Sequence, residues 1–437
     1  MGEFEGLELA APVTADWTAH PLLADDVVLA IVGLGQSWMQ GGNRDRADPL
    51  ATPVPEHPGH ALQLNAPPRP QPGYVAQLEN LHERAGGDRS RERPLSGCAD
   101  AFERALLAKA GRRHPLLMIT AARGGSTLAG GRVPDDGLLP GSMVFGWMLE
   151  QVGHAAHLVR AQGKRLVVMS ILAAHGETDA QLNADGEAFA AGWRRIRREA
   201  EAAIVALTGQ REAVFLHAYQ TTGLDRRSPQ THGCTTAQVA WWQLRMSDID
   251  PLCRCVGPVY WTTAGLNDFI HVTNRSLRRV GLQFGRYVFD DVLGAGRPPL
   301  RVVDLAWADA RRLRVTYTRE IVVESDDVRV NVSRLGRGGG YDLEYLATEA
   351  TPHIAALEIS AARPRALDLV LDRPAPRTAG RLLIGARHTA PGIGRDSGAR
   401  TTVRSGAALD EDPQDGFVLY DWACIEALDL PLPVGPA

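Results

Sequence analysis

The sequence predicts an α/β fold, a parallel sheet with helices on both faces, followed by a β-rich C-terminal region. Three observations predict it. From Val27 to about Leu293, short apolar runs alternate with longer helix-period segments. Gly294-Ala295-Gly296-Arg297-Pro298-Pro299 then breaks the pattern. Beyond that break the runs become short, β-branched and punctuated by Gly, Pro and Asp, with few segments long enough for a helix.

The expected strands of the first region are Val27–Val32, Leu116–Thr120, Leu166–Ile171, Ala213–Ala218 and Pro258–Thr262. The expected helices between and after them are Phe102–Ala110, Ser142–Gln162, Asn183–Leu207, Thr235–Asp248 and Thr273–Val292. Strands alternating with helices at this spacing form crossover units, and crossover units build a parallel sheet covered on both sides. Asp45–Pro94 is rich in Pro, Gly, Arg and Asp, including Ala66-Pro67-Pro68-Arg69-Pro70. It is too irregular for core elements and is expected to be a long surface excursion, one wall of a cleft. The division follows: 1–296 as the α/β domain, with an irregular insertion at about 45–94, and 297–437 as a β-rich, sandwich-like accessory domain. Within the latter, Leu313–Tyr317, Ile321–Glu324, Val328–Val332, Leu367–Leu371 and Leu382–Ile384 are the expected strands. Gly336-Arg337-Gly338-Gly339-Gly340 lacks the Lys-Ser/Thr ending of a phosphate-binding loop and is expected to be a turn.

Composition narrows the function. The chain has 437 residues, 44% hydrophobic and 22% charged, which excludes wholesale disorder. Forty-seven basic against 51 acidic residues leave a formal charge of −4, without the basic excess that marks nucleic-acid binding. The longest charge-free apolar stretches, Val27–Gln36 and Leu166–Ala174, fall short of the roughly 20 residues of a membrane span. Met1-Gly2-Glu3-Phe4-Glu5 is acidic and has no signal-peptide pattern, leaving a cytoplasmic protein or a secreted one whose signal has been removed. Five cysteines do not make a disulfide scaffold. They are expected to be buried or free thiols, with a bridge from Cys234 to Cys253 or Cys255 left open.

Four loops follow expected strands, where sites form in open parallel sheets. The first is Gly33-Leu34-Gly35-Gln36-Ser37-Trp38-Met39. A serine on a Gly-assisted turn past a buried strand can present its hydroxyl to a base, although an isolated Gly-x-Ser also serves as a helix N-cap. Met39 replaces the second glycine of the α/β-hydrolase elbow, so that motif is excluded. The second loop, Arg123-Gly124-Gly125-Ser126, lets backbone amides approach a ligand. The third, His175-Gly176-Glu177-Thr178-Asp179, is a polar cluster directly after an apolar strand. The fourth is Asn267-Asp268-Phe269-Ile270-His271. An Asp three residues before a His can fix the imidazole tautomer and stabilise the imidazolium, though such a pair is also common as a structural contact. Together the loops supply a nucleophile, glycine amides, a polar donor and an acid–base pair.

These residues resemble the SGNH (GDSL-like) hydrolases, and within them the branch of sialate O-acetylesterases and carbohydrate esterase family six. Gly35-Gln36-Ser37 matches that branch's Gly-Gln-Ser, and Gly124-Gly125-Ser126 its glycine block. His175-Gly176-Glu177-Thr178-Asp179 corresponds to its Gln-Gly-Glu-Ser-Asp/Asn block, and Asp268-Phe269-Ile270-His271 to its final Asp-x-x-His, with Gly281 in the following helix. The resemblance spans roughly Val27–Val292, in order. It implies a three-layer α/β/α fold and a serine esterase removing O-acetyl groups, most readily from a carbohydrate. By it Ser37 is the nucleophile, His271 the general base and Asp268 its orienter. The Ser37 and Gly125 amides form the oxyanion hole, with Gly124 the competing glycine. Gln36 belongs to the same binding set, and Glu177 organises the loop. His175 stands where the family has a Gln or Asn donor, a departure from the pattern. No cofactor and no metal are implied: His154 and His157 have helical spacing but no carboxylate set around them. The alternatives are a short-chain lipid or aryl esterase with the same triad, or an inactive hydrolase fold that binds carbohydrate. The expected partner is a small-molecule or glycan ester, with no nucleic acid and no membrane span; the oligomeric state is open.

Overall fold

A computed structural model describes residues 17–433, except 44, 46, 66–74, 85–91, 132–135, 183, 223–236, 267–269, 346–350, 360 and 388–391. Its centre is a seven-stranded sheet in the order β3-β2-β4-β1-β5-β6-β7. The strands are β1 (Val27–Gly35), β2 (Ala61–Leu64), β3 (Leu78–Asn80), β4 (Leu116–Ala122), β5 (Arg165–Ala174), β6 (Phe215–Gln220) and β7 (Cys253–Pro258). All neighbours pair in parallel except β2 and β3. Seven helices accompany them: α1 (Ser37–Gln40), α2 (Pro94–Ala110), α3 (Met143–Ala161), α4 (Glu177–Gln181), α5 (Gly186–Thr208), α6 (Gln238–Ile249) and α7 (Asn274–Val292).

Every residue of β1 and β4 is buried. A strand covered on both faces needs a continuous apolar run, which is why these segments stand out in sequence. Alternate residues divide between two cores. Leu29 and Ile31 pack with Phe102 of α2 and Phe284 of α7, whereas Val28, Ala30 and Val32 pack with Val152 of α3 and Ile196 of α5. The result is the three-layer α/β/α arrangement expected from the sequence.

Two expectations need correction here. Asp45–Pro94 is not wholly irregular, because β2 and β3 extend the sheet at one edge. The last strand lies at Cys253–Pro258, not Pro258–Thr262. Pro258 has no N–H for the ladder, and the chain turns behind it, with Thr262 N–H donating to the Val259 carbonyl at 3.1 Å.

Helices α2 and α7 cross unusually closely, and glycine makes this possible. An ideal Cβ on Gly281 would lie 2.0 Å from the Pro94 carbonyl oxygen, and one on Gly97 would lie 2.0 Å from that of Arg278. The start of α7 is fixed from outside the helix. Thr273 Oγ1 accepts from Ser276 N–H at 3.2 Å, and Asp48 in the excursion accepts from Asn274 N–H at 2.7 Å.

The C-terminal region is β-rich, as expected. It contains β8 (Val302–Asp309), β9 (Arg312–Tyr317), β10 (Ile321–Val323), a single-turn helix α8 (Asp327–Val330), β11 (Tyr341–Tyr345), β12 (Ile354–Ile359), β13 (Ala366–Leu371), β14 (Gly380–Ile384), β15 (Val403–Asp412), β16 (Phe417–Trp422) and β17 (Glu426–Asp429). These strands form three antiparallel sheets, and those built on β9–β13 and β11–β14 share a core through Leu313, Leu369, Leu343 and Leu382. Val328–Val332 is not the expected strand. Asp326 caps α8 by accepting from Val328 N–H at 2.8 Å, and Asn331 ends the turn in the left-handed region at φ 50°.

The hydrophobic core does not stop at residue 296. Leu409, Leu419, Trp422 and Ile425 belong to the same cluster as the α2 and α7 face of the sheet. Arg278 of α7 is wholly buried and bonds Asp412 of β15 (3.1 Å), Asp100 of α2 (2.9 Å) and Glu56 of the excursion (2.6 Å). Gln220 exchanges two hydrogen bonds with the Ile425 backbone, at 2.8 and 2.9 Å. Cys253 and Cys255 are buried thiols in no disulfide, and Cys234 lies outside the described residues.

Candidate active site

The strand order reverses around β1, so the carboxyl ends of β4, β1 and β5 lie side by side. Crevices of open parallel sheets form at such a reversal. Three of the four sequence loops begin here: Ser37 after β1, Gly124 and Gly125 after β4, and His175 and Glu177 after β5.

Ser37 is the first residue of α1. Backbone alone brackets its side chain. A Cβ on Gly42 would lie 2.8 Å from Ser37 Cβ, and one on Gly124 would lie 3.7 Å from it. A side chain at Gly42 would collide with Ser37 itself. The neighbouring Trp38 donates its indole N–H to the Ile270 carbonyl at 3.0 Å. That bond ties the Ser37 turn to the residue before His271. His271 is itself held by a backbone bond from Gly265 N–H to its carbonyl at 2.8 Å. Ser37 and His271 each keep 7% of their surface exposed. Asp268, the expected orienter, lies outside the described residues.

Glu177 is fully buried and gathers three donors. It accepts from Gln36 Nε2 (2.6 Å), Tyr219 Oη (2.7 Å) and Thr221 Oγ1 (3.1 Å). Burial pushes its carboxyl above the ordinary range, and the bonds from Tyr219 and Thr221 pull against that shift. Glu177 thereby joins the ends of β1 and β6. Gln36 is turned toward this hub, with its Oε1 buried and without a partner among the described residues.

The His175 ring is wholly buried. Nε2 faces the Ser126 carbonyl at 3.2 Å and Nδ1 faces Asp179 Oδ2 at 3.6 Å. The imidazole stacks on Phe189 at 5.9 Å and meets Trp193 edge-on at 5.7 Å. Burial drops its pKa to about 4, so the ring is neutral near pH 7. A carbonyl partner then requires the proton on Nε2. Asp179 is pushed up to about 7 by burial, and both its oxygens accept from Leu128 N–H, at 3.1 and 3.2 Å.

Sequence reasoning passed over two features. Gln40, at the end of α1, accepts the Gly124 N–H through Oε1 at 2.7 Å, which commits that amide. The second is another Ser–His–Asp set. Ser170 Oγ lies 2.7 Å from His217 Nδ1, and His217 Nε2 lies 3.1 Å from Asp291 Oδ2. Ser170 and His217 have no exposure, and Ser170 sits within β5 rather than beyond its end, so no ester can reach it. Ser126 is also buried, and its hydroxyl has no partner among the described residues.

No protein-family model matches the sequence, and no curated protein matches it. Among solved structures, the chain is similar in fold to a carbohydrate acetylesterase from Xanthomonas citri. The TM-score is 0.53 and the identity 13%, over 92% of this chain and 80% of that one. A carbohydrate acetylesterase from Sinorhizobium meliloti matches at TM-score 0.33 and 12% identity, over 59% of this chain and 96% of that one. An aryl esterase from M. smegmatis matches at TM-score 0.35 and 13% identity, over 61% and 100%. The Xanthomonas likeness extends over both regions of the chain, and the shared fold is a parallel α/β sheet with an added β-rich part.

Proposed function

We propose that the chain is a serine esterase that removes O-acetyl groups from a carbohydrate. The observation that carries this reading is the tie between the nucleophile turn and the base loop: Trp38, next to Ser37, bonds the carbonyl of Ile270, next to His271. A serine at the sheet's reversal point, bracketed by Gly42 and Gly124, supports the same reading.

In the proposed mechanism Ser37 Oγ attacks the acetyl carbonyl while His271 takes its proton. The tetrahedral oxyanion is met by the Ser37 and Gly125 amides. Collapse expels the sugar hydroxyl, which receives the proton from His271 and leaves an acetyl-enzyme. Water, deprotonated by His271, then attacks the acetyl-enzyme; the Ser37 Oγ–acyl bond breaks, Ser37 takes the proton back from His271, and acetate leaves. Asp268 orients His271 and stabilises its charged form. Glu177 and Gln36 hold the turn on which Ser37 sits.

The test is acetate release from a panel of O-acetylated glycans, beside synthetic esters of increasing acyl length. Turnover confined to acetyl esters, with glycans preferred, is expected. A preference for longer acyl chains points instead to a lipid or aryl esterase, and no turnover of any ester contradicts the enzyme reading.

A further inference from the structure

Residues 123–128 form a loop whose ends are held by backbone bonds, from Arg123 N–H to the Gly35 carbonyl at 3.2 Å and from Leu138 N–H to the Leu128 carbonyl at 3.0 Å. Within it Ser126 N–H turns back to the Arg123 carbonyl at 3.3 Å, Thr127 Oγ1 donates to the Gly130 carbonyl at 2.9 Å, and Gly125 holds a φ of 78° that favours glycine. Side chains from two other segments, α1 and residues 175–179, bond it as well. Gln40 Oε1 takes the Gly124 N–H at 2.7 Å. His175 Nε2–H meets the Ser126 carbonyl at 3.2 Å. Asp179 takes the Leu128 N–H with both oxygens. The two bonds to Gly124 and Ser126 fall on either side of Gly125.

We propose that Gln40 and His175 are positioning residues that pin the glycine loop on both flanks of Gly125 and hold it in register with Ser37, without touching the ester. The inference rests on the serine-esterase reading. Gln40 is the fourth residue of the helix that Ser37 begins, so its bond ties the glycine loop directly to the nucleophile's own helix. His175 is held by its ring stacking on Phe189 and by Trp193, and its neutral state gives Nε2 a fixed proton to offer. Oxyanion stabilisation depends on donors standing 2.7–3.1 Å from where charge develops, so a loop displaced by a few tenths of an ångström loses rate and leaves ground-state binding alone.

The test uses the full chain, a small aryl acetate and five variants. Gln40→Met removes the acceptor and Gln40→Glu keeps one. His175→Leu removes the donor and His175→Gln keeps one. Ser37→Ala is the control for the reading itself. Gln40→Met and His175→Leu are expected to lower kcat about 10- to 100-fold with KM changed less than about twofold, less than or equal to the loss of a whole oxyanion donor. Gln40→Glu and His175→Gln are expected to recover most of that loss. Melting temperatures on the same proteins separate a displaced loop from a weakened fold. If His175→Leu does not fold, the Gln40 pair decides. Wild-type kcat in both Gln40 variants, or equal loss in Met and Glu, overturns the inference. If Ser37→Ala retains turnover, the esterase reading fails and the inference falls with it. If Ser37→Ala is inactive while the loop variants match wild type, only the inference falls.

Discussion

The closeness of α2 and α7 makes Gly281→Ala a demanding perturbation, because its consequence can be worked from the backbone. The added methyl would start 2.0 Å from the Pro94 carbonyl oxygen and 2.8 Å from Cys98 N. Both obstacles are main chain, so no side chain can rotate away. Restoring a normal contact requires the helices to part by about 1 Å, in an interior packed as densely as an organic crystal. Overpacking of this kind costs about 1–3 kcal/mol, against which alanine's better helix propensity returns at most about 1 kcal/mol. The larger effect falls on activity. α7 begins three residues after His271, and a misplacement of about 1 Å can cost on the order of 100-fold in rate. The control is Gly146→Ala on α3, where a Cβ meets nothing within 4 Å; it is expected to be neutral or stabilising. Turnover of a small aryl acetate and thermal melts on both variants check the argument. Gly281→Ala with wild-type kcat and a melting temperature matching Gly146→Ala would refute it.

Other consequences concern charge and the C-terminal strands. Glu103 on α2 is buried with both oxygens unpartnered among the described residues, and burial raises its pKa from 4.5 to about 8. Such a carboxyl costs nothing below pH 4.5, and stability falls as pH rises from about 4.5 to 8, by up to about 5 kcal/mol. Glu103→Gln should therefore gain stability over wild type as pH rises from 5 to 8 in urea titrations, and a pH-independent difference would contradict this. Arg278→Met takes from buried Asp412 its 3.1 Å partner, while Asp100 keeps His57 and Arg104, and should cost about 3–5 kcal/mol, with Asp412→Asn restoring part of it; additive losses would show that the two do not interact. A chain ending at Gly296 uncovers the core face that Leu419, Trp422 and Ile425 cover, so it should be insoluble or molten. A soluble, cooperatively melting fragment active on an aryl acetate would reverse that expectation.

The parallel sheet was legible because strands buried on both faces must be almost wholly apolar: Val27–Val32 is apolar throughout, and Leu166–Ile171 carries one polar residue, Ser170. Strands β2 and β3 were not, because short strands at a sheet's edge need little apolar sequence, and this pair carries Gln63 on β2 and Glu79 on β3, which bond each other at 2.9 Å. Strand β7 was displaced in the reading by Arg254, a charge that sits in an otherwise buried run and lies over the Phe215 ring at 5.8 Å. Ser37, Glu177 and His271 were singled out through loop position and motif. The direction of His175 was not, since Phe189 and Trp193, on a helix that follows it, decide where its ring points. Gln40 carries no sequence signal at all: its role arises when β4 brings Gly124 beside α1. The shared core between the two regions was hidden for a similar reason, because Arg278, Asp100 and Asp412 look like surface charges until the fold assembles them.

The central claim, that Ser37 is the nucleophile of an ester hydrolase, is tested most directly by covalent trapping. The full chain is treated with a fluorophosphonate, and the modified residue is located by peptide mass spectrometry, in wild type and Ser37→Ala. A single adduct on the peptide carrying Ser37, absent from Ser37→Ala together with ester turnover, is the predicted result. An adduct on Ser126 or Ser170, or turnover undiminished in Ser37→Ala, would contradict the account.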